Sequence, residues 1–184
     1  MEKIGSPHID CRQDGVDITG SSRTEYLFNS TIAGIDAADA LLIIGSNPRF
    51  EAPVMNARIR KRYLVGEIPI AYIGQEIDLT YPAVFLGSQA SLLKEIAEGQ
   101  HPFCKNLKEA QNPMIIVGNG LLSRDDTKSL LNYISEIIKK FDVVHKRWNG
   151  FNVLHSAASR VAGLDIGFLP GKSGKSAKKM LSDA

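Results

Sequence analysis

The amino-acid sequence predicts an α/β protein of three layers, with helices on both faces of a mostly parallel, doubly wound sheet. Three observations carry that expectation. The short apolar runs ALLIIG (40–45), IPIAYIG (68–74), PAVFLG (82–87) and PMIIVGNG (113–120) have the length and β-branched content of strands. Segments with apolar residues at helical spacing separate most of these runs. Two of the runs end in Gly-containing loops, Gly45-Ser46-Asn47-Pro48 and Gly118-Asn119-Gly120, of the kind that leave the carboxyl ends of parallel strands.

Element by element, residues 1–25 are rich in Gly, Ser, Asp and Thr without a sustained period and form an irregular lead-in. Leu27, Ile32 and Ile35 give residues 26–38 a helical spacing that runs directly into the first strand. In residues 52–65, Met55, Ile59 and Tyr63 lie on one i, i+4, i+8 line, with Arg58, Arg60, Lys61 and Arg62 around it. Further helices are expected over 88–98 and 102–110. A long one should begin near Ser123, where Ser-Arg-Asp-Asp supplies a capping oxygen and first-turn carboxylates. Leu130, Ile134, Ile137 or Ile138, and Phe141 are its buried stripe. A short strand at 142–145, a loop around Trp148-Asn149-Gly150 and a last helix marked by Leu154, Ala158 and Val161 complete the α/β domain, 26–167. Residues 168–184, with Lys172, Lys175, Lys178 and Lys179 among Gly and Ser, read as a basic tail or truncated linker.

Composition removes several function classes. The 184 residues are 43% hydrophobic and 23% charged, enough to build a core. A net charge of +2 and four scattered tail lysines make no footprint for nucleic acid. The apolar runs fall far short of the roughly 20 residues that cross a bilayer. Without an apolar stretch near the N-terminus, the sequence reads as intracellular, with no direct membrane insertion. Two cysteines, Cys11 and Cys104, fit a reducing compartment and fall short of the four thiolates that usually hold an iron-sulfur cluster.

Candidate chemistry is sparse. Gly45, Ser46, Asn47 and Gly118 are placed to receive a phosphate, because glycine lets a backbone approach closely and exposed N–H groups attract an anion. The competing explanation is that they only make turns, since neither G-x-G-x-x-G nor a P-loop lysine is present. His8/Cys11 and His101/Cys104 repeat His-x-x-Cys and together have the ligand types of a zinc site. Their separation, and the core character of Phe103 and Leu107, argue against it. Asp125 and Asp126 read as helix capping rather than an acid and base. No nucleophile elbow accompanies His145 or His155, so no catalytic residue is assigned.

The stretch ALLIIGSNPRFEAPVMNARIRK resembles the strand, Gly-Ser/Thr-Asn loop and Arg-Ile-Arg-Lys helix of molybdopterin oxidoreductases of the formate dehydrogenase/DMSO reductase type. NSTIAGIDAADALLIIGSNPRFEAPVMNARIRK, IDLTY (77–81), LLKEIAEGQHPF (92–103), LKEAQNPMIIVG (107–118) and NVLHSAASRVAGLDIG (152–167) are similar to one branch. That branch is the large iron-sulfur subunit of respiratory NADH:quinone oxidoreductase, complex I.

The resemblance implies a partial molybdopterin-oxidoreductase-like domain with a structural or interaction role in the peripheral arm. Its iron-sulfur clusters would lie elsewhere in the full subunit, and no cofactor is expected in this chain. The implied partners are the cluster-bearing remainder of the subunit and other peripheral-arm subunits, with contacts through Arg49, Glu51, Arg58, Arg60 and Lys61. The implied location is the cytoplasmic side of a bacterial inner membrane, or the mitochondrial matrix side. The alternative is a domain binding molybdopterin guanine dinucleotide or another nucleotide through Gly45, Ser46, Asn47 and Gly118. Cys11 stands about where a metal-binding cysteine stands in formate-dehydrogenase-like members, but Asp10-Cys11-Arg12-Gln13 departs from their motif.

Overall fold

A computed structural model describes Lys3 and residues 5–18 and 22–184. Its centre is a five-stranded parallel sheet. The runs read as strands supply β1 (Ala40–Ile44), β2 (Ile70–Ile73), β3 (Val84–Gly87) and β4 (Pro113–Val117). After the two-residue strands β5 (Val144–His145) and β6 (Trp148–Asn149), which pair with each other, β7 (Phe151–Val153) is the fifth. The sheet order is β3-β2-β1-β4-β7. β7 has no counterpart among the sequence expectations; three residues are too few to show a period, and it is identified by pairing Ile115–Val117 of β4.

The helices, in chain order, are α1 (Thr31–Gly34), α2 (Pro48–Glu51), α3 (Pro53–Val65), α4 (Ser91–Glu98), α5 (Cys104–Glu109), α6 (Asn119–Leu122), α7 (Thr127–Lys140), α8 (Arg160–Asp165) and α9 (Ala177–Ser182). Alternation along the strands feeds two cores. Leu42, Ile44, Ile73, Ile115 and Val117 meet Leu93 and Ile96 of α4 and Leu130, Ile134 and Ile137 of α7. Leu41, Ile43, Tyr72, Met114 and Ile116 face Met55 and Ile59 of α3. Full burial of β1, β2 and β4 is what their continuous apolar sequences require.

The second face is covered unevenly. Among the described residues α3 is its single long helix, and the β2–β3 connection crosses without one. There Leu79 and Tyr81 are buried, and the Tyr81 hydroxyl donates to Asn56 Oδ1 at 2.8 Å while Asn56 Nδ2 donates to the Leu79 carbonyl. Burial pushes the Tyr81 phenol well above its ordinary range.

Four expectations need correction: the loop expected around Trp148-Asn149-Gly150 holds the strand β6, whose two residues pair with Val144 and His145, and three helices differ. Of residues 26–38, only Thr31–Gly34 and a 3-10 turn at Ile35–Ala37 are helical, because Phe28 bridges to Asn152 on the edge of β7. The buried Asn152 side chain takes the Ser30 N–H and hydroxyl, which holds the segment off the helix path. The long helix starts at Thr127 rather than near Ser123. Asp126 sits at its N-cap but its carboxylate pairs with Arg124, Asp125 pairs with Lys178, and Ser123 Oγ donates to the Asn119 carbonyl. Thr127 Oγ1, buried, ties the preceding turn by donating to the Leu121 carbonyl. The last helix of the α/β domain covers only Arg160–Asp165, after a non-helical approach from Leu154.

The lead-in and the tail bind each other. Cys11 N–H donates to the Phe168 carbonyl, Lys175 N–H to His8 Nδ1 and Ala177 N–H to Asp10 Oδ2, the last at the start of α9. Val16 and Ile18 of the lead-in are buried in the first core.

Candidate functional site

The strand order reverses between β1 and β4: the polypeptide leaves β1 toward α3 on one face and β4 toward α7 on the other. A crevice at such a switch point is where open α/β sheets bind ligands. Both predicted glycine loops meet here. Gly118 N–H donates to the Ile44 carbonyl and Gly120 N–H to the Gly45 carbonyl, each at 2.8 Å. The loops therefore extend the β1–β4 pairing past the ends of the strands and close on each other.

The glycines are explained by that closure. Gly45 has φ +62, and a Cβ there would run into the backbone and side chain of Leu121. A Cβ on Gly118 would overlap Ser46 and the Gly45 carbonyl oxygen. Close approach is required, but the groups approached belong to the opposite loop.

Ser46 Oγ and the Asn47 backbone N–H are likewise engaged, while the buried Asn47 Oδ1 has no hydrogen-bond partner among the described residues. Ser46 Oγ donates to Glu51 Oε2 at 2.9 Å and Asn47 N–H to Glu51 Oε1 at 2.8 Å. The Glu51 carboxylate thus stands where the loop would receive an anion, in the manner of a capping-box acid reaching back over the first turn of α2. Glu51→Ala should cost about 1 kcal/mol in chemical denaturation, the worth of a lost cap. Glu51→Gln should recover part of it, because its carbonyl oxygen still accepts. A cavity of about 80 Å³ beside Gly45, Gly74, Ser88, Gln89 and Gly120 is the open space at this mouth. Small-molecule pockets run from roughly 300 Å³ upward.

The remaining candidates are dispersed. Arg49 pairs with Asp78 at 2.9 Å, Arg58 pairs with Asp36, and Arg60 Nε donates to the Thr80 carbonyl. Lys61 is exposed and makes no such bond among the described residues. His8, Cys11, His101 and Cys104 are not assembled: Cys104 Sγ donates to the Ile96 carbonyl, and Cys11 packs on Gly163. Among the described residues no three of His, Cys, Asp and Glu converge in a metal-binding geometry. A polar cleft of about 260 Å³ lined by Arg12, Arg124 and Lys178 is matched by Asp10, Asp17 and Asp125, so it presents no excess charge to an anion.

One polar cluster lies outside every sequence expectation. Arg160, its side chain fully buried, donates from Nη2 to Asp14 Oδ1 at 2.6 Å and from Nε to the Cys11 carbonyl at 3.1 Å. Burial alone would raise the Asp14 carboxyl, but hydrogen bonds from Arg160, Val16 N–H and Ser156 outweigh it and hold the group below its ordinary range. Burial also pushes the Cys11 thiol up, away from thiolate chemistry, and moves His155 down; His155 Nε2 donates to the Tyr26 carbonyl at 2.7 Å. The cluster fastens the lead-in to α8. An arginine inside Ala-Ser-Arg-Val-Ala-Gly carries no sequence signal that its partner lies at position 14.

The molybdopterin oxidoreductase family model matches residues 1–184. The G subunit of NADH-quinone oxidoreductase from Rickettsia bellii is 42% identical over 168 residues, 91% of this chain and 25% of the relative. The mitochondrial NADH dehydrogenase [ubiquinone] iron-sulfur protein 1 of Solanum tuberosum is 41% identical over 170 residues, 92% of this chain and 23% of the relative. The chain thus spans about a quarter of the length of these relatives. Among solved structures, the formyltransferase/hydrolase complex (FhcABCD) from Methylorubrum extorquens in complex with methylofuran gives a TM-score of 0.48 at 16% identity, covering 85% of this chain and 47% of that one.

Proposed function

The chain belongs to the molybdopterin oxidoreductase family, and on that premise we propose that it serves as a structural domain of an NADH:quinone oxidoreductase peripheral arm. It packs and supports, while electrons pass from NADH to quinone through iron-sulfur clusters held outside these residues. Its partners are the cluster-bearing remainder of a large iron-sulfur subunit and the neighbouring peripheral-arm subunits. Its place is the cytoplasmic or matrix side of the membrane, reached through the complex; among the described residues no helix is long and apolar enough to cross a bilayer.

The observation that carries this reading is the closed crossing of the two glycine loops. What supports it is that most of the groups a dinucleotide's phosphates would use are already taken. Gly45, Gly118 and Gly120 pack on one another, and Ser46 Oγ and Asn47 N–H are spent on Glu51. The thiols of Cys11 and Cys104 lie in separate settings, each pushed up by burial, a poor start for a metal ligand.

Titration of the purified protein with GTP, GDP and GMP in a calorimeter tests the proposal against nucleotide binding at Gly45, Ser46, Asn47 and Gly118. The structural reading expects no saturable heat. Saturable binding that Gly118→Ala abolishes without unfolding the protein would favour the nucleotide-binding domain instead. Deleting the coding segment is expected to remove NADH:quinone activity together with the assembled complex, rather than leaving an assembled but inactive one.

A further inference from the structure

An apolar groove of about 510 Å³ runs between α1 and the start of α3, lined by Phe28, Ile32, Ala52, Val54, Met55 and Leu154. Its rim is exposed: Ile32 keeps 48% and Val54 71% of their surface, and the adjacent Phe50 keeps 79%. Apolar surface gathered in one concave patch marks a contact region more often than scattered exposed side chains do.

The sheet explains why the groove is there. α4 and α7 lie side by side on one face. On the other, α3 is the single long helix among the described residues, and the rest of that core is closed by Ile35 and Ala38, which follow α1, and by Phe28, Trp148 and Leu154. The groove occupies the place that a second long helix would fill in that layer.

Charge selects the kind of helix. α3 carries Arg58, Arg60, Lys61 and Arg62 and no acidic residue. Asp36 neutralises Arg58, Arg60 donates to the Thr80 carbonyl and Arg62 to the Ala38 and Gly66 carbonyls, none of them an anion, and Lys61 has no bonded partner among the described residues. Val54, Lys61 and Val65 recur along one exposed face of α3. An occupant lying along α3 meets apolar side chains first and the unmatched ammonium of Lys61 beside them.

We propose that this groove is the seat of an amphipathic helix with an acidic flank, supplied by the part of a large iron-sulfur subunit that lies outside these 184 residues. The inference rests on the proposed function. The Rickettsia and Solanum relatives have about three-quarters of their length beyond the matched region, ample polypeptide to supply one helix.

The test uses the assembled oxidoreductase in its membranes. A photo-crosslinking benzoylphenylalanine is placed at Val54 and, as a control, at Val84, which is 59% exposed on the edge strand β3 at the far side of the sheet. After irradiation, the Val54 adduct should map to an acidic helical segment of the same subunit outside residues 1–184, and the Val84 adduct should not. An adduct to another subunit, to a second copy of this protein or to lipid, or none in an intact complex, overturns the proposal. Val54→Asp should leave folding unchanged, since the side chain is mostly in solvent, yet reduce the assembled complex on native gels; unchanged assembly counts against the groove. Absence of the unmodified protein from the complex overturns the functional reading itself and the inference with it.

Discussion

Gly118→Ala is expected to lower the stability of the protein by about 3 kcal/mol, among the larger single-methyl effects. The added Cβ would overlap Ser46 and the Gly45 carbonyl oxygen. Relief requires moving backbone, because the Gly118 and Gly120 N–H groups are bonded across the same crossing. A flexible side-chain tip would give way cheaply; a carbonyl in a hydrogen-bonded pair does not. Urea unfolding followed by circular dichroism checks the value. A glycine kept for a phosphate would behave differently, leaving stability nearly intact and removing only binding.

Arg160→Met should cost about 3 kcal/mol, the lower part of the range for breaking a buried ion pair, because Asp14 keeps 21% of its side-chain surface and can rehydrate. Asp14→Asn should cost less and should alter the acid limb. The Asp14 carboxyl is held below its ordinary 3.8 when folded, so the unfolded chain binds protons first on acidification. Its contribution is complete above the unfolded value and is lost as pH falls through the folded one. Asp10 acts in the same direction: burial raises it, but bonds from the Arg12 side chain, Ala177 N–H and Arg12 N–H more than compensate. Below about pH 4 the wild-type stability should therefore fall more steeply than that of Asp14→Asn, in parallel urea titrations. Equal slopes would remove Asp14 from the account.

The legible parts of the fold are those with a long signal. β1 and β4 are five-residue strands buried at every position, so composition alone announces them. The core stripe of α7 is Leu130, Ile134 and Ile137, continued by Phe141, as the spacing predicts. What fails is local. Ser-Arg-Asp-Asp has the composition of a helix start, but its side chains are drawn to Arg124, Lys178 and Asn119 instead. β7 is defined by a neighbour rather than by its own residues.

The candidate loop is legible in position and not in state. Gly45 and Gly118 do lie together at the switch point, yet nothing in Gly-Ser-Asn or Gly-Asn-Gly says whether the space between them is held open. Glu51 offers a hint, since an acidic residue one turn past Asn47 is a capping signal as much as a contact residue. The groove beside α3 is not readable from periodicity: Val54, Leu64 and Val65 are exposed on a helix that also buries Met55 and Ile59.

The clasp between lead-in and tail has a kinetic consequence. Its Lys175–His8 and Ala177–Asp10 bonds join residues 167 positions apart. Contacts of such separation must first bear the entropy of closing a loop nearly as long as the whole polypeptide, so they reward only a sheet that is already built. Exchange of the Ala177 amide with deuterium would then report on opening of the clasp alone, the last fastening made and the first released.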